Sequence, residues 1–243
     1  MKIERSEIVK ALQNNDLDNL SLMIDSYKTK YPNDFFGWNM DGLLNEKNDV
    51  LDIALESFLK SEKLNSKLVL IKINITRILF KLSEKKRCKE KLKEILILDK
   101  ENLYAKKLLS DIYFEDKEYL EIINIFPKSK DIYEKDVTLL KKIAISHFFL
   151  KDFSSARDFF EKLTLIDPNT SENYLDLGVS FYNLNNFNKA LFNFIKALEI
   201  KYNHQSIVNF NKVIKETNIK YDDFLNEIEV YNSSLRDNVS LKF

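Results

Sequence analysis

The sequence contains few of the residues on which catalytic and metal sites depend. Its 243 residues include three glycines, three prolines, one cysteine and two histidines. A single cysteine excludes a disulfide framework and a cysteine-based zinc site. Three scattered glycines cannot form the clustered loop that cradles a phosphate group. The composition therefore predicts a protein that is not an enzyme, with no catalytic residue, no metal site and no cofactor.

The sequence also lacks an excess of charge and a long apolar run. Lysine plus arginine and aspartate plus glutamate both total 38, so the formal net charge is zero, which disfavours a general polyanion binder. No segment approaches the roughly 18 apolar residues that a membrane span requires. The start, MKIERSEIVKAL, is charged and has no apolar centre of the kind found in signal peptides. We therefore expect a cytoplasmic protein that interacts neither with membranes nor, in the main, with nucleic acid.

The stretch from Ser171 to His204 has the pattern of two amphipathic helices joined by a polar turn at 183–186. The first helix carries on one face Tyr174, Leu177, Gly178 and Phe181. The second carries Phe187, Ala190, Leu191, Phe194, Ala197 and Leu198. Folding at the turn places Gly178 opposite Ala190, and two small residues there allow a close helix crossing. The aromatic pairs expected on either side are Tyr174 with Phe194 and Phe181 with Phe187.

The same pattern recurs every 34 residues. The small residue before the turn recurs as Gly42, Thr76, Ser110, Ala144 and Gly178. The small residue after it recurs as Ala54, Cys88, Ala156 and Ala190, and the large one that follows as Phe58, Leu92, Phe126, Phe160 and Phe194. A helix–turn–helix unit of this length resembles the tetratricopeptide repeat. Its W-x2-L-G-x2-Y…A-x3-F motif is represented here by Tyr174, Leu177, Gly178, Phe181, Ala190 and Phe194.

The resemblance implies an all-α fold, a right-handed superhelical solenoid of about seven helix–turn–helix repeats in a single domain spanning 1–243. The repeats are expected at 1–34, 35–68, 69–102, 103–136, 137–170, 171–204 and 205–238. The first and last depart from the pattern and are expected to be caps. Two irregularities stand out. Asp41 occupies the apolar position held by Leu177, so it either faces solvent or caps another group. Pro127 must end a short helix over about 117–126, followed by a loop or helix extension at 128–136.

The most specific functional prediction concerns a surface. The resemblance implies that the first helices line a concave groove and the second helices the convex face. One position beyond the buried face of each first helix carries an aromatic residue at 34-residue spacing: Phe80, Phe114, Phe148 and Tyr182. The polar residues expected beside this aromatic ladder are Asn74, Arg77, Lys107, Asp111, Lys141 and Asp176. An apolar groove with spaced polar groups is typical of a site for an extended or helical peptide.

Other interpretations of these residues remain open. The four aromatic residues could instead pack between hairpins. The buried-face positions of Cys88 and His147 favour structural roles for both. The chain is thus predicted to be a protein–protein interaction module or scaffold that binds a protein or peptide partner in its groove.

Two alternative functions rest on shorter segments. An accessory solenoid for a separate transferase is suggested by a segment similar to the opening of repeat arrays that precede sulfotransferase or glycosyltransferase domains, YPNDFFGWNMDGLL. Weak binding of nucleic acid or phosphate is suggested by the basic run Lys85–Lys93.

Overall fold

The computed structural model describes residues 4–127, 136–202 and 204–217 of the protein, which form thirteen α-helices and no β-strand. The helices are α1 Arg5–Gln13, α2 Leu17–Lys30, α3 Phe35–Lys47, α4 Leu51–Leu64, α5 Val69–Lys81, α6 Lys85–Leu98, α7 Leu103–Glu115, α8 Tyr119–Ile125, α9 Val137–Phe149, α10 Phe153–Ile166, α11 Ser171–Asn183, α12 Phe187–Ile200 and α13 His204–Thr217. The prediction of an all-α fold is therefore confirmed. Within these described ranges, no helix is long and apolar enough to cross a membrane.

The helices alternate between first and second members of hairpins at a constant spacing. The first helices α3, α5, α7, α9 and α11 begin at 35, 69, 103, 137 and 171, and the second helices α4, α6, α8, α10 and α12 begin at 51, 85, 119, 153 and 187. Helix α8 ends at Ile125, before Pro127, whose ring and missing N–H do not allow the helix to continue. Residues 128–135 of the expected segment 128–136, and residues 218–238 of the expected last repeat, lie outside the described residues.

Calpha contacts divide the chain into two compact units, residues 1–112 and 113–243. In unit 1, α1 and α2 form a hairpin and α2 packs on α3, with Ile8, Leu20 and Ile24 fully buried among them. In unit 2, α9 packs on α10, α10 on α11, α11 on α12 and α12 on α13. The second helices α2, α4, α10 and α12 thus each contact both their own first helix and the next one, which buries apolar faces that a single hairpin would leave in water.

The turns between paired helices share one backbone conformation. Each contains a residue in the left-handed region, with φ between 57° and 62°, at Asn15, Asp49, Ser83, Lys117, Lys151 and Asn185. The N–H of the next residue donates to a carbonyl five positions earlier, as Asn186 does to Phe181 at 2.9 Å. The left-handed residue itself donates to a carbonyl three positions earlier, as Asn185 does to Tyr182 at 3.0 Å. This pair of bonds defines a Schellman helix end, which here forms without glycine.

The close crossing of the hairpin depends on glycine and phenylalanine. A Cβ atom added at Gly178 would lie 2.5 Å from the Phe194 ring and 3.2 Å from the Ala190 carbonyl oxygen. A Cβ atom at Gly42 would lie 2.6 Å from the Phe58 ring in the same way. The ring therefore lies directly over the glycine, while the small residue opposite contributes its backbone.

An ion pair replaces apolar packing at Asp41. Its carboxylate accepts hydrogen bonds from Lys28 Nζ at 2.6 Å and from Ser57 Oγ at 2.5 Å. All three side chains come from different helices of unit 1, namely α2, α3 and α4. The lysine nitrogen also lies 5.1 Å from the centre of the Trp38 ring. Asp41 thus neither faces open solvent nor caps a helix: it joins three helices through a partly buried charge pair.

The left-handed turn residue predicts the effect of a glycine substitution. Lys151 is exposed and adopts φ 62°, a conformation that costs a residue with a Cβ about 1–2 kcal/mol. Lys151→Gly should therefore raise the free energy of unfolding by about 0.5–1 kcal/mol, as measured by urea denaturation. Lys151→Ala keeps the Cβ and is the matched control, so it should give no such gain. Equal effects of the two substitutions would contradict the assigned turn conformation.

Gly178→Ala should destabilise the protein, whereas a glycine-to-alanine substitution inside a helix usually stabilises it. Alanine is normally about 1 kcal/mol more favourable than glycine inside a helix. At Gly178 the added methyl group would overlap the buried Phe194 ring, so we expect a net loss of about 1–3 kcal/mol in thermal or chemical denaturation. In Gly37→Ala the new atom would meet the flexible Lys28 side chain at 3.0 Å, and the loss should be smaller. A stabilised Gly178→Ala variant would show that the ring does not cover the glycine.

Candidate functional site

Three of the four aromatic residues predicted to line a groove contact a ring of their own hairpin. Each half-buried side chain packs against the aromatic residue that begins the following second helix. The ring pairs are Phe114–Tyr119, Phe148–Phe153 and Tyr182–Phe187, with centroids 6.0, 5.3 and 5.9 Å apart. The fourth hairpin has Lys85 at the second position, and there the Phe80 side chain is 44% exposed. These contacts favour the packing interpretation for three of the residues and leave Phe80 as an exposed ring.

Two predicted groove residues of unit 1 are held by other side chains. Asn74 is 3% exposed and donates from Nδ2 to Asn39 Oδ1 at 2.9 Å. Arg77 makes two hydrogen bonds to the Glu46 carboxylate, at 2.7 and 2.5 Å. Burial alone would raise the pKa of Glu46, but the bonds from Arg77 and Lys81 outweigh it and lower that pKa. Asn74 and Arg77 are therefore engaged in packing within unit 1.

Lys107 and Asp111 lie half-buried on α7, and both interact with other groups. Their assignment to a partner-binding groove remains a prediction.

The basic run on α6 is partly neutralised by acidic residues of unit 1. Lys91 lies 2.9 Å from Glu62 and 2.9 Å from Glu94, and it is largely buried between them. Arg87 lies 2.6 Å from Glu84. A surface that binds phosphate through counterion release needs cations that face solvent. These ion pairs therefore weaken the alternative that the run Lys85–Lys93 binds nucleic acid.

Cys88 and His147 occupy buried positions. Cys88 is fully buried, and its Sγ donates to the Thr76 carbonyl at 3.5 Å. Burial raises the pKa of this thiol to about 11, so the reactive thiolate is disfavoured. His147 stacks on Phe159, and its Nδ1 lies 3.0 Å from Asp152 Oδ2. These contacts favour a structural role for both side chains.

Asp176, in unit 2, is a half-buried carboxylate. No donor among the described residues hydrogen-bonds to its side chain. Burial raises the pKa of Asp176 to about 6, the charge of Lys141 on α9 opposes this rise, and the charge of Glu172 adds to it. Lys141, itself one of the predicted site residues, thus acts on Asp176 through its charge. The structure brings these two predicted residues together.

A cavity of about 190 Å³ lies on the same surface of unit 2, between α11 and α13. Its lining residues are Val179, Tyr182, Asn183, Phe194, Asn209 and Lys212. The Tyr182 hydroxyl donates to Glu216 at 2.5 Å, and Lys212 Nζ lies 4.7 Å from the centre of the Tyr182 ring. Tyr182 is therefore a wall of the cavity as well as a packing residue of its hairpin.

Two asparagines of the cavity each use one atom of the side-chain amide in a bond within their own helix and leave the other atom available. Asn183 donates from Nδ2 to the Val179 carbonyl at 2.8 Å, which leaves its Oδ1 as an acceptor. Asn209 accepts at Oδ1 from Gln205 Nε2 at 3.0 Å, which leaves its Nδ2 as a donor. One acceptor and one donor match the N–H and C=O of a peptide group. The cavity lining therefore includes both kinds of group with which a backbone amide hydrogen-bonds.

Comparison with known proteins identifies one repeat of the chain. The sequence model described as tetratricopeptide repeat matches residues 171–204. This segment is therefore a tetratricopeptide repeat. The matched segment comprises α11, the turn, α12 and the first residue of α13, so it contains Asp176 and most of the cavity wall. No curated protein matches the sequence significantly.

Solved structures share the tetratricopeptide repeat fold at low sequence identity. YrrB, described as a TPR protein with an unusual peptide-binding site, is 17% identical with a TM-score of 0.65, over 78% of this chain and 97% of that chain. A MamA crystal structure is 18% identical, with a TM-score of 0.56, and the match covers 67% of this chain and 89% of that chain. MamA from Desulfovibrio magneticus RS-1 is 12% identical, with a TM-score of 0.54, and the match covers 67% of this chain and 92% of that chain.

Sequence reasoning missed three polar residues of the cavity: Asn183, Asn209 and Lys212. Asn183 was assigned to the turn because it is followed by further polar residues, but it is the last residue of α11. Asn209 and Lys212 belong to α13, which was assigned to a terminal cap. The available signal was the repeat period itself, since Asn209 follows Leu175 by 34 residues.

The raised pKa of Asp176 predicts a pH-dependent penalty on stability. Because the pKa rises from 3.8 to about 6 on folding, the charged form destabilises the native state above pH 6. The penalty disappears as the pH falls from 6 to below 4. Asp176→Asn should therefore raise the free energy of unfolding at pH 7.5 by roughly 1–3 kcal/mol and have little effect at pH 3.5. Denaturant titrations at the two pH values measure the difference.

Asp34→Asn is the matched control, because the pKa of Asp34 is shifted in the opposite direction to that of Asp176. Burial alone would raise the pKa of Asp34, but hydrogen bonds from Tyr27, Arg5 and the Phe36 N–H lower it. Its charged form thus stabilises the folded state at neutral pH, and the substitution should destabilise the protein there. A stability of Asp176→Asn equal to that of the wild type at pH 7.5 would show that water already satisfies the Asp176 carboxylate.

Proposed function

We propose that the protein is a non-catalytic interaction module that binds an extended peptide segment of a partner protein on the first-helix surface of unit 2. This surface comprises Asp176, Lys141 and the cavity between α11 and α13. The observation that carries the proposal is the pair of free amide groups on Asn183 and Asn209. A peptide backbone offers the complementary donor and acceptor in one rigid group.

The size and polarity of the cavity support a segment of chain. About 190 Å³ is smaller than the cavities that enclose drug-sized ligands, which range from about 300 to 1,000 Å³. A site of this size accommodates one or two residues of a chain that continues beyond it. The hydrophobic wall formed by Val179, Tyr182 and Phe194 supplies contact area, and the asparagines fix the orientation.

The fold comparison is consistent with this assignment. YrrB, which shares the fold at 17% identity, is described as having a peptide-binding site. Its fold is built from the same kind of repeat that this chain has at 171–204. The comparison supports peptide recognition as the class of function. The kind of peptide has to be inferred from the residues of this chain.

The alternative functions receive less support. Two cations of α6, Lys91 and Arg87, form ion pairs within unit 1, which weakens the case for nucleic-acid binding. No contact of the described residues specifically favours service to a separate transferase. We therefore propose neither function.

Selection from a random dodecapeptide library on the immobilised full chain tests the proposed function. We expect enriched peptides to bind, and Val179→Lys to weaken that binding at least about tenfold because the new side chain fills the cavity and breaks its apolar wall. Fluorescence anisotropy of a labelled selected peptide measures the affinity. Circular dichroism confirms that the variant remains folded.

Leu165→Lys is the matched control. Leu165 lies on the second helix α10 and is 82% exposed, so the same new side chain there leaves the first-helix surface intact. Its affinity should equal that of the wild type. An equal loss in both variants would place binding elsewhere, and a wild-type chain that selects no peptide would refute the proposed function.

A further inference from the structure

The charge distribution around Asp176 indicates what kind of side chain the bound segment presents. Helix α11 carries two acidic residues, Glu172 and Asp176, and no lysine or arginine. They are four positions apart and therefore lie on the same side of the helix. Lys141 is the one cation among the described residues whose charge acts on Asp176. Around Asp176 itself, two negative charges, its own and that of Glu172, are therefore opposed by the single positive charge of Lys141.

Neither neighbouring lysine satisfies the carboxylate. Lys141 interacts with Asp176 through its charge, but no hydrogen bond or ion pair joins them in the described part of the chain. Lys212 lies over the Tyr182 ring, where Glu216 also acts on its charge. A half-buried carboxylate without a donor gains most from a cation that can both neutralise it and hydrogen-bond to it.

The spacing along α11 relates the carboxylate to the cavity. Asp176 and Asn183 are seven residues apart, which places them on one face of the helix and about 10 Å apart along its axis. An extended chain advances about 3.3 Å per residue. A segment that lies along α11 therefore reaches from one side chain to the other in about three residues.

We propose that Asp176 binds the lysine or arginine side chain of the partner segment, while Asn183 and Asn209 hold a backbone amide about three residues away. This inference rests on the proposed function and adds to it the chemical class of the partner, a basic extended peptide. Asp176 provides charge selection, and the asparagines provide contacts that any sequence can make.

The peptides selected from the random library test the inference by their composition. Wild-type protein should enrich lysine or arginine at one fixed position. Asp176→Asn should weaken the binding of a selected basic peptide about tenfold or more, because a charged hydrogen bond is lost. A parallel selection on Asp176→Lys should enrich aspartate or glutamate at that position. Melting curves establish that each variant is folded.

Glu161→Gln is the control for net charge. Glu161 is exposed on the second helix α10, so its replacement removes one negative charge from unit 2 away from the first-helix surface. Its affinity for the basic peptide should stay within about twofold of the wild type. Selected peptides without a fixed basic residue, or wild-type affinity in Asp176→Asn, would overturn the inference and leave peptide binding intact. A wild-type chain that selects no peptide would instead refute the proposed function and the inference together.

Discussion

In the hairpins α3–α4 and α11–α12, the distance between the two helices is set by a phenylalanine ring that lies on a glycine. At Gly178 there is no room for even a Cβ atom, because the Phe194 ring occupies that space, and Gly42 has the same relation to Phe58. This crossing turns the remaining apolar faces of α4 and α12 toward the following first helices, α5 and α13, on which they pack. In unit 2, α12 packs on both α11 and α13, so the placement of α13 beside α11, and with it the cavity, depends on that contact.

The sequence predicted this framework because the residues that close a hairpin recur at a fixed interval. The turns were harder to predict, because the Schellman bonds join backbone atoms and accept a serine at Ser83 as readily as a lysine at Lys117. The partner of Phe187 was also predicted incorrectly. Helical periodicity places Phe181 and Tyr182 at similar heights, and only the observed crossing shows that the Tyr182 ring contacts Phe187.

The candidate site was predictable only in part. Periodicity assigns Asp176 and Tyr182 to the predicted groove surface of α11, but it cannot distinguish a ring that lines a groove from one that packs in a hairpin. The decisive signal was a second aromatic series at the same interval, Tyr119, Phe153 and Phe187, which pairs with the first. The free amide groups were beyond prediction because they depend on side-chain hydrogen bonds within α11 and α13.

Acidic residues on first helices serve two different ends in this molecule. In unit 1, Asp41 and Glu46 are bonded to lysine and arginine residues of other helices, so their charges hold the packing together. The Asp176 carboxylate in unit 2 is half-buried, but no described side chain hydrogen-bonds to it. Its charge therefore opposes folding at neutral pH. A leucine or an asparagine at this position would relieve that penalty. We proposed above that the partner supplies a cation to Asp176, and a carboxylate that is costly to the fold, on the helix that forms one wall of the cavity, is in keeping with that proposal.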